Sequence, residues 1–236
     1  MIDFHSHILP AVDDGSASVE ESIQLLETLA AQGVKTVIAT PHFYANRHSV
    51  ERFLTKRQTA YERLMGAWKE GLPEVALGAE VRYYEGISQM ADLRSLCIQG
   101  TRLLLLEMPF AKWTEYVISE VVHLASSGKV TVVLAHIERY MAQQSAEVWN
   151  RLAENGVVMQ ASCECFTRFF VRGKAARLLK NRFIQVLGTD CHNLEKRPPN
   201  MGKALEYIEK KLGQTQLERL IARGRRLMAD NALKKD

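Results

Sequence analysis

The feature that most limits what this chain can fold into is a recurrence. Short apolar runs at residues 2–5, 34–39, 75–80, 103–107, 130–135, 157–161 and 183–187 alternate with longer helical patterns. Strands separated by helices imply parallel pairing through helical crossovers. Near-continuous apolar runs fit a sheet buried on both faces. Seven such units predict an α/β fold closing as a distorted (βα)7 TIM-like barrel, one unit short of the usual eight. No linker or low-complexity stretch divides the 236 residues, so a single domain over 1–236 is expected.

The helices carry their own punctuation. Ser18-Val19-Glu20-Glu21 reads as a capping box, with Ser18 as N-cap and Glu21 able to reach back to its amide. Ile23, Leu26, Leu29 and Ala30 then share one face before Gly33. Further helices are predicted over 50–70, 115–127 and 146–154, each closed by a glycine, and Gly213 separates two C-terminal helices.

Polar residues fall where the runs end. His5, His42, Glu80, Glu107, His136, Cys163 and Asp190 follow one another at intervals of 37, 38, 27, 29, 27 and 27 residues. These are the lengths of strand–helix units, so each residue is expected at the C-terminal rim of successive strands, where barrel active sites lie. His5 and His7 are two positions apart at a strand end and are expected to point the same way. His192 follows Asp190 with the same spacing. Imidazoles with carboxylates, and no thiolate set, suit Mn, Fe, Zn, Mg or Co better than soft metals. Eight or nine ligands exceed what one ion needs, which predicts two or three ions sharing carboxylates. Such clusters hydrolyse phosphoryl or acyl bonds. Arg139 and Arg197 each follow a ligand closely, and a guanidinium fork matches phosphate oxygens.

Composition narrows the setting. Thirty-one basic and 27 acidic residues leave a net charge of +4, spread along the chain, which argues against a nucleic-acid partner. No charged-then-apolar leader is visible and no apolar run reaches the ~20 residues of a transmembrane helix. Cys97, Cys163, Cys165 and Cys191 form no disulfide framework. A cytoplasmic location is expected. Cys191 and Arg197 match the Cys-x5-Arg spacing of cysteine-dependent phosphatases. The five residues between them contain no glycine to build an amide cradle, so the match is read as accidental.

Taken together, the motifs resemble those of PHP-family metallohydrolases. They are most similar to the manganese-dependent protein-tyrosine phosphatases of Gram-positive capsule and exopolysaccharide loci. The residues that carry the likeness are Ile2-Asp3-Phe4-His5-Ser6-His7-Ile8-Leu9-Pro10, Val12-Asp13-Asp14-Gly15, Thr40-Pro41-His42, Gly78-Ala79-Glu80-Val81, Ala135-His136-Ile137-Glu138-Arg139-Tyr140 and Asp190-Cys191-His192-Asn193 with Arg197-Pro198-Pro199. The resemblance implies a three-metal centre. His5, His7 and Asp190 with bridging Glu80 would hold one ion. Glu80, Glu107 and His136 would hold a second, and Asp14, His42 and His192 a third. Arg139 and Arg197 would bind the phosphoryl group. The implied substrate is phosphotyrosine, notably in the tail of a cognate bacterial tyrosine kinase. A PHP phosphatase acting on a small ester such as histidinol phosphate, and a non-catalytic PHP interaction module, are the alternatives.

Overall fold

The computed structural model describes residues 1–233; the last three residues of the expected domain lie outside the described residues. Among the described residues nine parallel strands occupy seven positions around a curled sheet. They are β1 (Ile2–Ser6), β2 (Thr36–Ala39), β3 (His42–Phe43), β4 (Glu74–Leu77), β5 (Glu80–Arg82), β6 (Leu103–Glu107), β7 (Thr131–Leu134), β8 (Val158–Ser162) and β9 (Val186–Gly188). The second and third predicted strands are each broken in two. Pro41 has no N–H to continue the ladder between β2 and β3. Between β4 and β5, Gly78 lies so close to the second strand that an added Cβ would come within 3.2 Å of the Thr40 side chain. The ladder nevertheless runs through both breaks, because Gly78 N–H donates to Ala39 O at 2.8 Å and Glu80 N–H to Pro41 O at 3.1 Å.

The last strand leads back to the first. Asp190 N–H donates to His5 O at 2.8 Å and His7 N–H to Cys191 O at 2.9 Å. Buried Asp3 reinforces this seam, its carboxylate accepting from Thr189 N–H at 2.8 Å and Thr189 Oγ1 at 2.5 Å. The expected distorted barrel of seven positions is thus what the chain builds.

Among the described residues eight α-helices pack around it: α1 (Val19–Ala31), α2 (Val50–Gly66), α3 (Glu115–Ser126), α4 (Ala146–Glu154), α5 (Glu164–Thr167), α6 (Arg172–Lys180), α7 (Met201–Leu212) and α8 (Gln214–Asp230). Ser18 caps α1 through Glu21 N–H, but Glu21 reaches back to Ala17 N–H at 2.8 Å, one residue before the N-cap. Helix α2 stops four residues earlier than predicted, at Gly66. Glycine is a poor helix former, and the chain then turns so that Trp68 Nε1 reaches Pro73 O.

The two faces of the sheet feed two apolar cores. Leu104, Leu106, Val132 and Leu134 face the helices, while Leu103, Leu105, Val133 and Ala135 form the inner core with Phe4, Ile38, Val158 and Val186. Alternation with period 2 produces that division. Leu227 and Met228 of α8 pack against the inner core, and Gly224 lets the helix approach the Phe4 ring. Every strand therefore presents its C-terminal end to one rim.

Candidate metal centre

Nine side chains predicted from the sequence meet at that rim: His5, His7, Asp14, His42, Glu80, Glu107, His136, Asp190 and His192. The middle of the cluster is Glu80, the first residue of β5. His5 Nε2 and His7 Nε2 lie 3.1 Å apart. They stand 3.3 and 3.4 Å from Glu80 Oε2, and each is 3.5 Å from Asp190 Oδ1. On one flank His136 Nε2 lies 2.8 Å from Glu80 Oε1 and 3.8 Å from Glu107 Oε1. On the other, His42 Nδ1 lies 2.8 Å from Glu80 Oε2, and its Nε2 is 3.4 Å from Asp14 Oδ1. His192 Nε2 is 3.5 Å from that same Asp14 oxygen. Asp14 is the most open of the nine, while most of the others are buried.

The strand–helix code placed these residues, with one local irregularity. The pairing of β1 with β2 shifts register between Asp3 and Ser6, and this lets Phe4 enter the inner core while His5 and His7 both face the centre. His136 and Asp190 have left-handed backbones, φ 33° and 53°. Such strain is tolerated where the surroundings fix it, and it concentrates at functional sites.

A second layer of groups aims the imidazoles. Asp13 Oδ2 accepts from His7 Nδ1 at 2.7 Å and from His42 N–H at 2.9 Å, and Asp13 Oδ1 accepts from Gly15 N–H at 3.0 Å. Gln160 Oε1 faces His5 Nδ1 at 3.4 Å and accepts from His136 N–H at 2.8 Å. His136 Nδ1 meets the Tyr140 hydroxyl at 3.0 Å, and His192 Nδ1 donates to Asp190 O at 3.0 Å. With the proton on Nδ1, the Nε2 lone pair of His5, His7, His136 and His192 points inward. This is the arrangement that orients metal-binding histidines. Sequence reasoning missed Gln160. Its signal was a lone amide in the apolar run at 157–161.

Charge in the cluster is tightly balanced. Burial pushes the Glu80 carboxyl up, but His5, His136 and His42 outweigh it and hold the group well below the usual range. Asp190 behaves alike: burial raises it and His5 and His7 bring it far down. Burial, reinforced by His7 and Arg197, lowers His192 to about 4.

Divalent cations fit this donor set. His42 Nδ1 and Glu80 Oε2 approach to 2.8 Å, yet each is buried without a well-formed hydrogen bond. A buried polar group left unpaired costs about 1–3 kcal/mol, and a shared cation would satisfy both. The donors fall into four overlapping groups: His5, His7 and Asp190; His5, Glu80 and His136; His42, Glu80 and Glu107; His7, Asp14, His42 and His192.

Both arginines reach the centre. Arg139 Nη2 contacts Asp190 Oδ2, and Arg197 Nη2 donates to the same oxygen at 2.5 Å. Arg197 Nη1 also lies 2.8 Å from His192 Nε2. Each guanidinium is about one-third exposed.

No cysteine joins the cluster among the described residues. Cys163 Sγ faces Met201 Sδ at 3.5 Å, and burial pushes the Cys191 thiol up to about 12. A protonated, buried thiol is a poor nucleophile. Cys191→Ser is expected to retain activity and lose about 2–4 °C in Tm for a polar group in an apolar site; a calorimetric scan alongside a turnover assay checks both.

The seam tolerates no added bulk at Gly188, whose Cβ would stand 2.4 Å from His5 Cβ and 2.9 Å from Gln160 Nε2. Gly188→Ala should cost about 1–3 kcal/mol of stability and weaken metal binding by displacing His5. Denaturant unfolding and a metal titration would read the two effects separately.

Fold and rim together define a class: a distorted βα barrel whose strand ends gather a polynuclear set of histidine and carboxylate donors. The chain belongs to the capsular polysaccharide synthesis family CpsB/CapC, which it matches over residues 1–228. It is 30% identical over 219 residues to the tyrosine-protein phosphatase YwqE of Bacillus subtilis (strain 168), spanning 90% of this chain and 85% of YwqE. It is 31% identical over 242 residues to the tyrosine-protein phosphatase CpsB of Streptococcus pneumoniae, spanning 93% of this chain and 94% of CpsB. The fold superposes with a TM-score of 0.83 on a crystal structure from work on YwqE and CpsB, described as unique metal-dependent tyrosine phosphatases. That match has 26% identity and covers 100% of this chain and 97% of the other.

Proposed function

We propose that this chain is a metal-dependent protein-tyrosine phosphatase acting on a phosphotyrosine protein of capsule or exopolysaccharide synthesis. The observation that carries the reading is the meeting of nine donor side chains at one rim, in a chain whose family relatives are tyrosine-protein phosphatases. The proposed ligands are His5, His7, Asp14, His42, Glu80, Glu107, His136, Asp190 and His192, with Glu80 shared between ions. Two or three ions are proposed, with Mn²⁺ as the native metal; Fe, Mg, Zn and Co suit the same hard and borderline donors.

When bound, such ions lower the pKa of a water and draw charge from phosphoryl oxygens. The chain's own residues do the rest. Arg139 and Arg197 converge on one carboxylate oxygen, so two guanidiniums stand where a phosphoryl group would meet the centre. Their forks match its oxygens and hold it in place. Asp13, Gln160 and Tyr140 fix the imidazoles that face it. The leaving phenolate has an ordinary pKa near ~10, so it departs with less need of a proton donor than an alkoxide.

The proposed partner is the phosphorylated tail of a bacterial tyrosine kinase, met in the cytoplasm. Among the described residues no helix is long and apolar enough to cross a membrane.

The test is metal analysis paired with hydrolysis of phosphotyrosine peptides, with and without Mn²⁺, beside histidinol phosphate. Mn²⁺-dependent turnover that favours the peptide is expected. A preference for histidinol phosphate would reassign the substrate, and partner binding without turnover at saturating Mn²⁺ would make the chain an interaction module. Asp13→Asn should weaken metal affinity about 10–100-fold, the usual effect of losing a ligand's orienting partner; competition with a fluorescent chelator measures it.

A further inference from the structure

Two aromatic rings stand on the rim, and each rests on an imidazole of the cluster. Tyr44, just past β3, has its ring centroid 5.3 Å from that of His42, with planes 31° apart. Phe110, three residues past the end of β6, lies 6.0 Å from His136 at 24° and 5.4 Å from Tyr140 at 28°. Each ring also carries a guanidinium. Arg47 lies 4.9 Å from the Tyr44 centroid and Arg82 lies 5.5 Å from the Phe110 centroid. Arg82 is anchored through Nη1 to Glu107 Oε2 at 2.9 Å. Tyr44, Arg47 and Arg82 line one open cavity of about 540 Å³.

Phe110 leaves 48% of its surface in water. Among the described large apolar side chains that are exposed, it is the one stacked on a residue of the cluster. A scattered exposed aromatic needs no explanation. Two of them, each touching an imidazole of the cluster and an arginine, and with Arg82 shared between the Phe110 ring and the cavity that Tyr44 lines, are a built wall. Aromatic rings prefer offset or edge contact with other rings. An alkyl phosphate offers no ring to meet them, and a phenyl phosphate does.

We infer that Tyr44 and Phe110 form an aryl subsite that receives the ring of the phosphate ester, and that Arg47 and Arg82 receive acidic residues beside it. The substrate class is an aryl phosphate in an acidic peptide. This rests on the proposed phosphatase reading, and it adds what selects tyrosine among phosphorylated side chains.

The test uses the Mn²⁺-loaded protein and two inert probes, phenylphosphonate and methylphosphonate, with affinities read by titration calorimetry. The wild type should bind phenylphosphonate more tightly. Phe110→Ala and Tyr44→Ala should each weaken phenylphosphonate about three- to tenfold, the worth of one aromatic pair. Methylphosphonate affinity should not move. Phe110→Leu keeps an apolar cover on His136 and removes the ring; it should behave as Phe110→Ala does, with metal content unchanged. Arg47→Ala should raise KM for an acidic phosphotyrosine peptide and leave KM for a neutral one alone. Equal losses on both phosphonates, or none on phenylphosphonate, would overturn the subsite. If the wild type prefers phenylphosphonate but does not hydrolyse phosphotyrosine peptides, the phosphatase reading fails and the aryl subsite stands.

Discussion

Glu80→Gln should lower kcat/KM on a phosphotyrosine peptide by at least about a hundredfold and reduce the bound metal. Among the described residues Glu80 is the one carboxylate that faces four imidazoles: His5, His7, His42 and His136. It belongs to two of the four donor groups, so its loss damages more than one ion. Outer partners of metal ligands already cost about 10–100-fold when removed, and a shared ligand should cost more. Glutamine keeps the volume and removes the charge that holds these histidines together. Steady-state kinetics with elemental analysis of the purified variant reads both effects. Retained metal with retained turnover would show that Glu80 is only a counter-charge for buried imidazoles.

Arg139→Ala should reduce kcat about 100–1,000-fold while leaving metal content intact. Removing one preorganised donor to a developing negative charge commonly has that effect. Arg197→Ala should act in the same direction, because its guanidinium meets the same Asp190 oxygen. A competing account is that both arginines merely hold Asp190 ionised and in place. Asp190 is buried and each arginine is about one-third exposed, so removing one arginine takes a partner from a buried carboxylate and leaves the other in place. The two accounts part on metal content. Loss of metal in Arg139→Ala would make the residue a positioning group for Asp190; loss of turnover with metal retained would make it a phosphoryl clamp.

Much of this centre was legible in the sequence because a βα barrel places strand ends at regular intervals along the chain. His5, His42, Glu80, Glu107, His136 and Asp190 could be assigned to one rim from spacing alone, and the structure brings them there. What was not legible depends on contacts between distant segments. Gln160 was hidden in an apolar run, since nothing local says that its amide will meet His5 across the seam between the first and last strands. The stacking of Phe110 on His136 belongs to the same kind of information. The broken strands at Pro41 and Gly78 and the register shift in β1 were also missed, because a period-2 pattern assumes an unbroken pleat. The early end of α2 at Gly66 reflects a local preference that the longer apolar pattern masked.

The measurement closest to the central claim is anomalous diffraction at the manganese edge from crystals grown in saturating Mn²⁺. Two or three peaks are expected among His5, His7, His42, Glu80, His136, Asp190 and His192, with Glu80 touching more than one. A difference map without peaks in that bowl, or with peaks only at surface carboxylates, would contradict it.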